Sequence, residues 1–331
     1  SNFKRQIRGF MTYILVDTAN TFFRARHVIR GDADIKLGMA LHITFNSIKK
    51  AWQDFNGSHV VFCLEGRSWR KDYYKPYKAN RAETRAAMTV KEQEEDKLFW
   101  ETFDAFKDFV INKTNSTVLQ NSVLEADDLI AGWIADHPND DHVIISTDSD
   151  FHQLIAPNVK QYNGVAETLT TIEGIFDKKG KLVVDTKTKE PKDIPNPEWI
   201  LFEKCMRGDS SDNVFSAYPK VRKNKLQEAF NDRTNKGFAW NNMMLQRWVD
   251  HEGEEHRVLD DYERNRRLID LKHQPDHIKS IIKETITENS KTKTVDQVGI
   301  RLLKFCQLYD MKRMMDSIQQ YAEPLQAKYK E

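Results

Sequence analysis

Tyr13-Ile14-Leu15-Val16-Asp17 is an uninterrupted apolar run closed by a carboxylate. A run so short, without polar alternation, has the form of a strand buried on both faces, as parallel sheets require. Val60 to Leu64, Thr117 to Leu119 and Val143 to Ile145 repeat that form. Between the first two, Leu37, Leu41, Phe45, Ile48, Trp52 and Phe55 recur at spacings of four and three, which predicts a helix with one buried face. Phe99, Phe103, Phe106 and Val110 predict another, entered from the charged, solvated stretch Lys91 to Lys97. Strand and helix therefore alternate from Met11 to about Leu154, the pattern of an α/β fold built from βαβ units around a parallel sheet.

Beyond Asn158 the pattern changes. Thr168 to Phe176 and Lys181 to Thr186 flank Asp177-Lys178-Lys179-Gly180 and predict a β-hairpin. Pro191 to Pro197 reads as a linker, and from Glu198 onward helical patterns such as Leu259, Tyr262, Arg266 and Ile269 predict an all-helical C-terminal region. A chain of 331 residues allows two domain-sized units of about 150 residues each, or one large domain with an appendage. The boundaries that follow are 11–195 and 196–331. Residues 1–10, ahead of an internal Met11, read as an appended stretch or a native arm and are left out of the fold.

Composition narrows the function classes. Lys and Arg total 51 against 50 Asp and Glu, which excludes a uniformly basic nucleic-acid binder and directs attention to local charge. Cys63, Cys205 and Cys306 are far apart, so neither a disulfide framework nor a cysteine zinc site is indicated, and a reducing cytoplasm fits. No apolar run approaches the roughly 20 residues of a membrane span.

The acids fall in a telling place. Asp17 follows the first strand and Glu65 the second; Glu125, Asp127 and Asp128 come after the third, Asp148 and Asp150 after the fourth. Ligand sites of open α/β sheets lie outside the carboxyl ends of the strands, so topology alone delivers seven acids to one rim. Asp209 and Asp212, in the turn-like Gly208-Asp209-Ser210-Ser211-Asp212-Asn213, add two more. Taken singly, Asp17, Asp127-Asp128 or Asp148-Ser149-Asp150 are equally ordinary helix caps. Their number favours cations, because crowded carboxylates cannot all stay ionised alone. Oxygen-only donors select Mg²⁺ or Mn²⁺, and two such ions roughly 3.5 to 4 Å apart suit phosphodiester hydrolysis. No P-loop, dinucleotide fingerprint, G-x-S-x-G or H-E-x-x-H competes.

Directly after Glu65, the segment Gly66 to Arg85 carries seven basic residues against two acids, with four aromatics interleaved. Cations there hold phosphate while rings stack unpaired bases, which makes Arg67, Trp69, Arg70, Lys71 and Tyr77 candidate nucleic-acid contacts. The other reading is a solvated basic helix with buried aromatics. Lys220, Arg222, Lys223 and Lys225 form a second cluster, either a grip on duplex phosphates or a solvated helix start.

At Ile14-Leu15-Val16-Asp17, Tyr77-Lys78-Ala79-Asn80-Arg81, Glu125-Ala126-Asp127-Asp128, Ile145-Ser146-Thr147-Asp148-Ser149-Asp150-Phe151 and Gly208-Asp209-Ser210-Ser211-Asp212-Asn213, the chain resembles the bacteriophage 5′ nuclease family of flap endonucleases and 5′-3′ exonucleases, its T-even phage RNase H branch in particular. The resemblance spans about Met11 to Arg222. It implies a PIN-like nuclease fold with two divalent metals, Asp17, Glu65, Glu125 and Asp127 around the first, with Asp128, Asp148, Asp150, Asp209 and Asp212 on or near the second. Lys78 and Arg81 match the family's basic pair near the scissile phosphate, and residues 71–103 its helical arch. Two departures stand out. Glu65 replaces a common Asp, and Val214 to Lys225 lacks the glycines that in many members bind duplex phosphate through backbone amides and a potassium ion. Side chains of Lys220, Arg222 and Lys223 are then expected to hold the duplex, without a potassium site.

The expected function is removal of RNA primers and 5′ flaps from branched or nicked DNA in phage replication. The resemblance implies a monomer in the host cytoplasm, off the membrane, working beside a replicative polymerase and a single-strand binding protein. The alternatives are a structure-specific DNA-binding protein of weak activity, and a HAD-like phosphatase, whose D-x-D is absent because Thr18-Ala19 follows Asp17.

Overall fold

The computed structural model describes residues 11–192 and 196–331. The readings of residues 1–10, and of the linker at 193–195, lie outside the described residues. The chain divides into two compact units, each discontinuous: the described parts of Ser1–Arg67, Thr89–Pro195 and Ser280–Glu331, and a second unit of Ser68–Met88 and Asn196–Lys279. The segment 196–331 is thus shared between units, as is 71–103.

The first unit is built on a seven-stranded sheet: β1 (Thr12–Asp17), β2 (His59–Cys63), β3 (Thr117–Leu119), β4 (Asp141–Ile145), β5 (Val159–Asn163), β6 (Thr168–Thr171) and β7 (Gly174–Phe176), in the order β3-β2-β1-β4-β5-β6-β7. The first five strands run parallel, and β6 and β7 are added by antiparallel pairings, β6 to β5 and β7 to β6. The four runs read from sequence are the four strands β1 to β4. Chain order reverses between β1 and β4, so the crevice of a topological switch point opens at Asp17 and after Ile145. That crevice is the feature that positions the site.

Helices cover the sheet. α1 (Thr18–Arg24) follows β1 without a break, and α2 (Ala33–Phe55) is capped by Asp32, whose carboxylate accepts from the Ile35 amide. Its face of Leu37, Leu41, Phe45, Ile48 and Trp52 packs into one core with Phe99, Phe103, Phe106 and Val110 of α5 (Val90–Asn112). The last helices, α12 (Val298–Leu308), α13 (Lys312–Asp316) and α14 (Ile318–Gln326), complete that core with Leu302, Phe305, Met314 and Leu325.

In the second unit, α7 (Pro197–Arg207) starts with Pro197 at its first position and Asn196 as cap, and packs with α8 (Lys223–Asn231), α9 (Phe238–Met244) and α10 (Val258–Ile269) around Phe202, Phe230, Trp240 and Tyr262. Asn265 stitches this core, its amide donating to the carbonyls of Cys205 and Phe215 at 2.8 and 2.9 Å. α3 (Arg70–Tyr73) and α4 (Asn80–Ala86) belong here; α6 (Ala126–Asp136) lies in the first unit, and α11 is Asp276–Asn289.

Two expectations are corrected. Thr168 to Phe176 is not one strand but a hairpin of its own, β6 and β7 paired across Ile172-Glu173, although the Asp177–Gly180 turn also forms and Val183 donates to Ile175. The sheet also contains a fifth parallel strand that no apolar run predicts, because Lys160 and Gln161 interrupt the pattern of β5. The C-terminal region is not all-helical: β8 (Arg247–Val249) and β9 (Glu255–Arg257) form an antiparallel hairpin, too short and too exposed to carry an alternation signal.

Candidate metal centre and nucleic-acid contacts

Asp17 closes β1 in a buried position, and its carboxylate accepts a 2.7 Å hydrogen bond from the Ser146 hydroxyl at the end of β4. The two strand ends at the switch point are therefore joined by one bond. Asn20, one turn into α1, accepts at Oδ1 from the Thr147 amide at 2.9 Å and the Thr147 hydroxyl at 3.0 Å. Gln161 on β5 donates to the Ser146 and Asp148 carbonyls at 3.1 and 2.8 Å. Asp148 then caps the short helix Ser149–Leu154, accepting from the Asp150 amide at 2.9 Å.

On the other flank, Gly66 donates to the Leu124 carbonyl and Arg67 to that of Ser122, each at 2.7 Å. A Cβ on Gly66 would stand 2.0 Å from the Asn121 carbonyl oxygen, so only glycine lets this strap close. It sets Glu65 beside the start of α6, where its carboxylate accepts from the Ala126 amide at 3.2 Å. Glu125 and Asp128 cap that helix reciprocally, Asp128 accepting from the Glu125 amide at 3.1 Å, and Asp127 accepts from the Asp128 amide at 2.8 Å.

One oxygen each from Glu125, Asp127 and Asp128 lies within 4.8 Å of the others, although Glu125 and Asp128 are buried. Cys63 registers the field at these strand ends: burial first, then the charges of Asp17 and Glu65, push its thiol well above its ordinary range. An all-oxygen donor set of this density fits a divalent cation.

In the second unit, Gly208 to Val214 closes as a loop, with Asp209 and Val214 exchanging two 2.8 Å backbone bonds. Gly208 stands at φ +78, and a Cβ there would meet the Val214 carbonyl at 2.4 Å. Burial raises the Asp209 carboxyl, but the Ser211 hydroxyl and the Lys204 ammonium, 3.1 Å away, outweigh it and hold it below the usual carboxylate range. The segment 76–81 is tied to this loop. Lys78 donates from its backbone to the Asp212 carbonyl at 2.8 Å, Asn213 donates to the Pro76 carbonyl at 2.7 Å, and Arg81 pairs with Asp212 at 3.1 Å.

The aromatic and basic candidates divide. Trp69, Arg70 and Tyr77 are corrected: they are buried, Arg70 with only 1% exposure, its Nε donating to the Leu268 carbonyl at 2.7 Å and its guanidinium 4.6 Å from the Trp69 ring. Tyr77 packs with Val214 and Leu268. These three stabilise the second unit instead of offering a stacking surface. Arg67, Lys220, Arg222 and Lys223 are exposed, and Lys71 and Lys78 are half-buried. Sequence reading missed Asn20, Gln161 and Lys204. Asn20 had a signal, an amide three residues after Asp17 at a helix start; Gln161 acts on carbonyls distant in sequence and had none, and Lys204 lies in the last turn of α7, where a basic residue reads as ordinary, five residues before its partner Asp209.

The model of the 5′-3′ exonuclease N-terminal resolvase-like domain matches residues 12–181, half of the chain. The chain belongs to the 5′-3′ exonuclease family. Ribonuclease H of Enterobacteria phage T4 is 30% identical over 201 residues, 57% of this chain and 56% of that protein. DNA polymerase I of Rhizobium leguminosarum is 28% identical over 215 residues, 60% of this chain. The chain thus spans little more than half of the phage ribonuclease and 18% of the polymerase. Among solved structures, the bacteriophage T5 5′-exonuclease with bound zinc superposes with a TM-score of 0.58 at 18% identity, covering 85% of this chain and all of that one. The T5 flap endonuclease with DNA and metal ions gives 0.56 at 19%, covering 94% and 99%. At that identity the likeness is one of fold. The matched residues contain the whole switch-point crevice of this family member, from Asp17 to Gln161.

Proposed function

We propose that this chain is a divalent-metal-dependent 5′ nuclease that hydrolyses phosphodiester bonds near 5′ ends, removing flaps and RNA primers from branched or nicked duplexes during phage replication. The observation that carries it is the oxygen-only cluster of Glu125, Asp127 and Asp128 in a domain whose switch point also bears Asp17. In this reading Asp17, Glu65, Glu125 and Asp127 hold one Mg²⁺, and Asp128, Asp148 and Asp150 serve a second; Asp209 and Asp212 join them on their motif alone. Mn²⁺ substitutes, having the same preference for oxygen. Such ions, when bound, activate water and neutralise the leaving oxygen.

The chain's own residues do the rest. Ser146, Asn20 and Gln161 keep the loop after β4 in one conformation, so Asp148 and Asp150 are pre-positioned instead of being ordered at each turnover. Lys78 and Arg81 stabilise charge on the phosphate, and Lys220, Arg222 and Lys223 neutralise duplex phosphates. A polymerase and a single-strand binding protein of the phage, in the host cytoplasm, are the partners this chemistry suits, with the chain acting as a monomer.

The test is cleavage of end-labelled 5′-flap, nicked and RNA-primed duplexes. Short 5′ products in Mg²⁺, lost in EDTA, are the expected outcome. Binding without cleavage in either Mg²⁺ or Mn²⁺ would establish the weakly active DNA-binding protein instead, and turnover of small phosphoesters alone would establish a phosphatase.

A further inference from the structure

His256, on β9, meets a carboxylate at each ring nitrogen: Nε2 lies 2.8 Å from Asp250 Oδ2, and Nδ1 lies 2.9 Å from Asp261 Oδ2. The ring is held in place. Trp248, its partner across the strand pair, stacks on it with centroids 4.3 Å apart at 14°, and the indole N–H donates to the Ala217 carbonyl at 2.9 Å. Glu254, in the exposed turn between β8 and β9, completes the group: a nitrogen of His256 and one oxygen each of Asp250 and Glu254 lie within 4.8 Å of one another.

Asp261, in the first turn of α10, is the side left short. It is only 9% exposed, Arg264 approaches its other oxygen at 3.4 Å, and its Oδ2 is buried without a hydrogen-bond partner although it faces Nδ1. A neutral imidazole has one N–H for two carboxylates, so the nitrogen that lacks it presents a lone pair to a negative oxygen. A cation on Nε2 resolves this. It takes that lone pair, leaves the N–H on Nδ1 and gives Asp261 a donor, the arrangement in which a carboxylate behind a metal-bound histidine orients it. Charge agrees: Arg247 and Arg257 pair with Glu255 and Asp260, so Asp250, Glu254 and Asp261 against Arg264 leave two negative charges, the complement of a divalent ion.

We infer that Asp250, Glu254 and His256 bind a divalent transition ion of the zinc type, with Asp261 orienting the histidine and water completing the coordination. Nitrogen in the donor set separates this site from the oxygen-only cluster of Glu125, Asp127 and Asp128, and favours Zn²⁺ over Mg²⁺. Zinc bonds of about 2.0 to 2.2 Å put tetrahedral ligands about 3.3 to 3.6 Å apart, so Nε2 and Asp250 Oδ2 need only a small outward shift. The ion pins the end of β8 to β9, a structural role within the second unit that does not depend on the nuclease reading.

The experiment is equilibrium dialysis of Zn²⁺ against the full chain in excess Mg²⁺, with denaturant midpoints recorded in Zn²⁺ and in EDTA at neutral pH. Wild type and Asp127→Asn, which weakens the first unit's cluster, are each compared with the same chain carrying His256→Gln. His256→Gln is expected to lower bound Zn²⁺ by one equivalent in both backgrounds and to abolish the rise in midpoint that Zn²⁺ gives over EDTA. Asp261→Asn should weaken that equivalent about 10 to 100-fold, and Glu254→Gln, a change to an exposed side chain that leaves the hairpin intact, by at least as much. An equal Zn²⁺ count with and without His256→Gln overturns the inference, as does loss of all bound Zn²⁺ in Asp127→Asn alone, which would place the metal in the first unit. Wild-type affinity in both Asp261→Asn and Glu254→Gln also overturns it, because a lone histidine would then account for the binding.

Discussion

Asp148 illustrates how one carboxylate serves fold and site together. Its Oδ1 caps the helix Ser149–Leu154 by accepting from the Asp150 amide. An amide side chain accepts that bond equally well, so Asp148→Asn keeps the cap while removing the charge that a cation needs. Cleavage should fall to background with duplex affinity at least as high as wild type, since repulsion of phosphate is reduced; wild-type turnover would remove Asp148 from the metal site. Lys78 needs a different substitution, because its backbone stands at φ +56, where most side chains are strained. Lys78→Asn tolerates that conformation and isolates the charge. Single-turnover cleavage at saturating substrate should slow by about 100 to 1,000-fold, the usual loss for one electrostatic contact to the transition state. If only affinity changed, Lys78 would be a docking residue.

At the scale of elements, legibility followed burial on two faces. β1 to β4 are continuous apolar runs because helices cover both sides of the sheet, and α2 and α5 are periodic because each buries a single stripe. β5 carries Lys160 and Gln161 and was not legible by that rule. The two hairpins make the sharper comparison. Asp177 accepts from the Lys179 and Lys181 amides, and Asp250 accepts from the Glu252 and Glu254 amides, with Gly180 and Gly253 both at positive φ. The same Asp-x-x-Gly turn therefore occurs twice; at 177–180 apolar flanking residues make it legible, whereas at 250–253 the flanking strands have three exposed or half-buried residues each and leave no alternation. The place of the candidate acids after strands was legible in the sequence. Their backbone supports were not, for amide partners such as the Ala126 N–H leave no trace in residue types. The loop Gly208 to Val214 provides an element-scale test. Gly208→Ala puts a methyl against the Val214 carbonyl at a positive φ and should destabilise the second unit by about 2 kcal/mol. Chemical denaturation followed by far-UV circular dichroism reads this directly, and a midpoint equal to wild type would show that the loop relaxes freely.

Across the whole molecule, the histidines make stability depend on pH in opposite senses. In the first unit His59 donates from Nδ1 to the Ala327 carbonyl at 3.0 Å and accepts at Nε2 from the Thr117 amide at 3.3 Å, which fixes a neutral ring. His142 Nε2 pairs with the His137 carbonyl at 2.9 Å, and its Nδ1 is buried with no hydrogen-bond partner. Burial pushes both down to about 4 from the ordinary 6.5, against a smaller opposing effect of those carbonyls. Between these values the unfolded chain binds protons that the folded one refuses, so the contribution is complete above pH 6.5 and is lost as pH falls to 4, by roughly 3 kcal/mol per ring. His256, in the β8–β9 hairpin, behaves in reverse. The hydrogen bond to Asp250 at 2.8 Å, joined by Asp261 at 2.9 Å, raises it above 6.5, so its contribution is present below that value and fades as pH rises through the raised one. Acid should therefore weaken the first unit while the hairpin of the second tightens. Denaturant midpoints measured from about pH 7 down to about pH 4 are expected to fall with a steep limb centred between the unfolded value of 6.5 and the folded value of about 4 that His59 and His142 share. His142→Phe keeps the ring stacked near Tyr13 but cannot take a proton, and its limb should be distinctly shallower. His256→Gln should leave that limb in place and lower stability only in acid. A limb equally steep in His142→Phe would move the acid sensitivity away from the buried ring and onto the carboxylates.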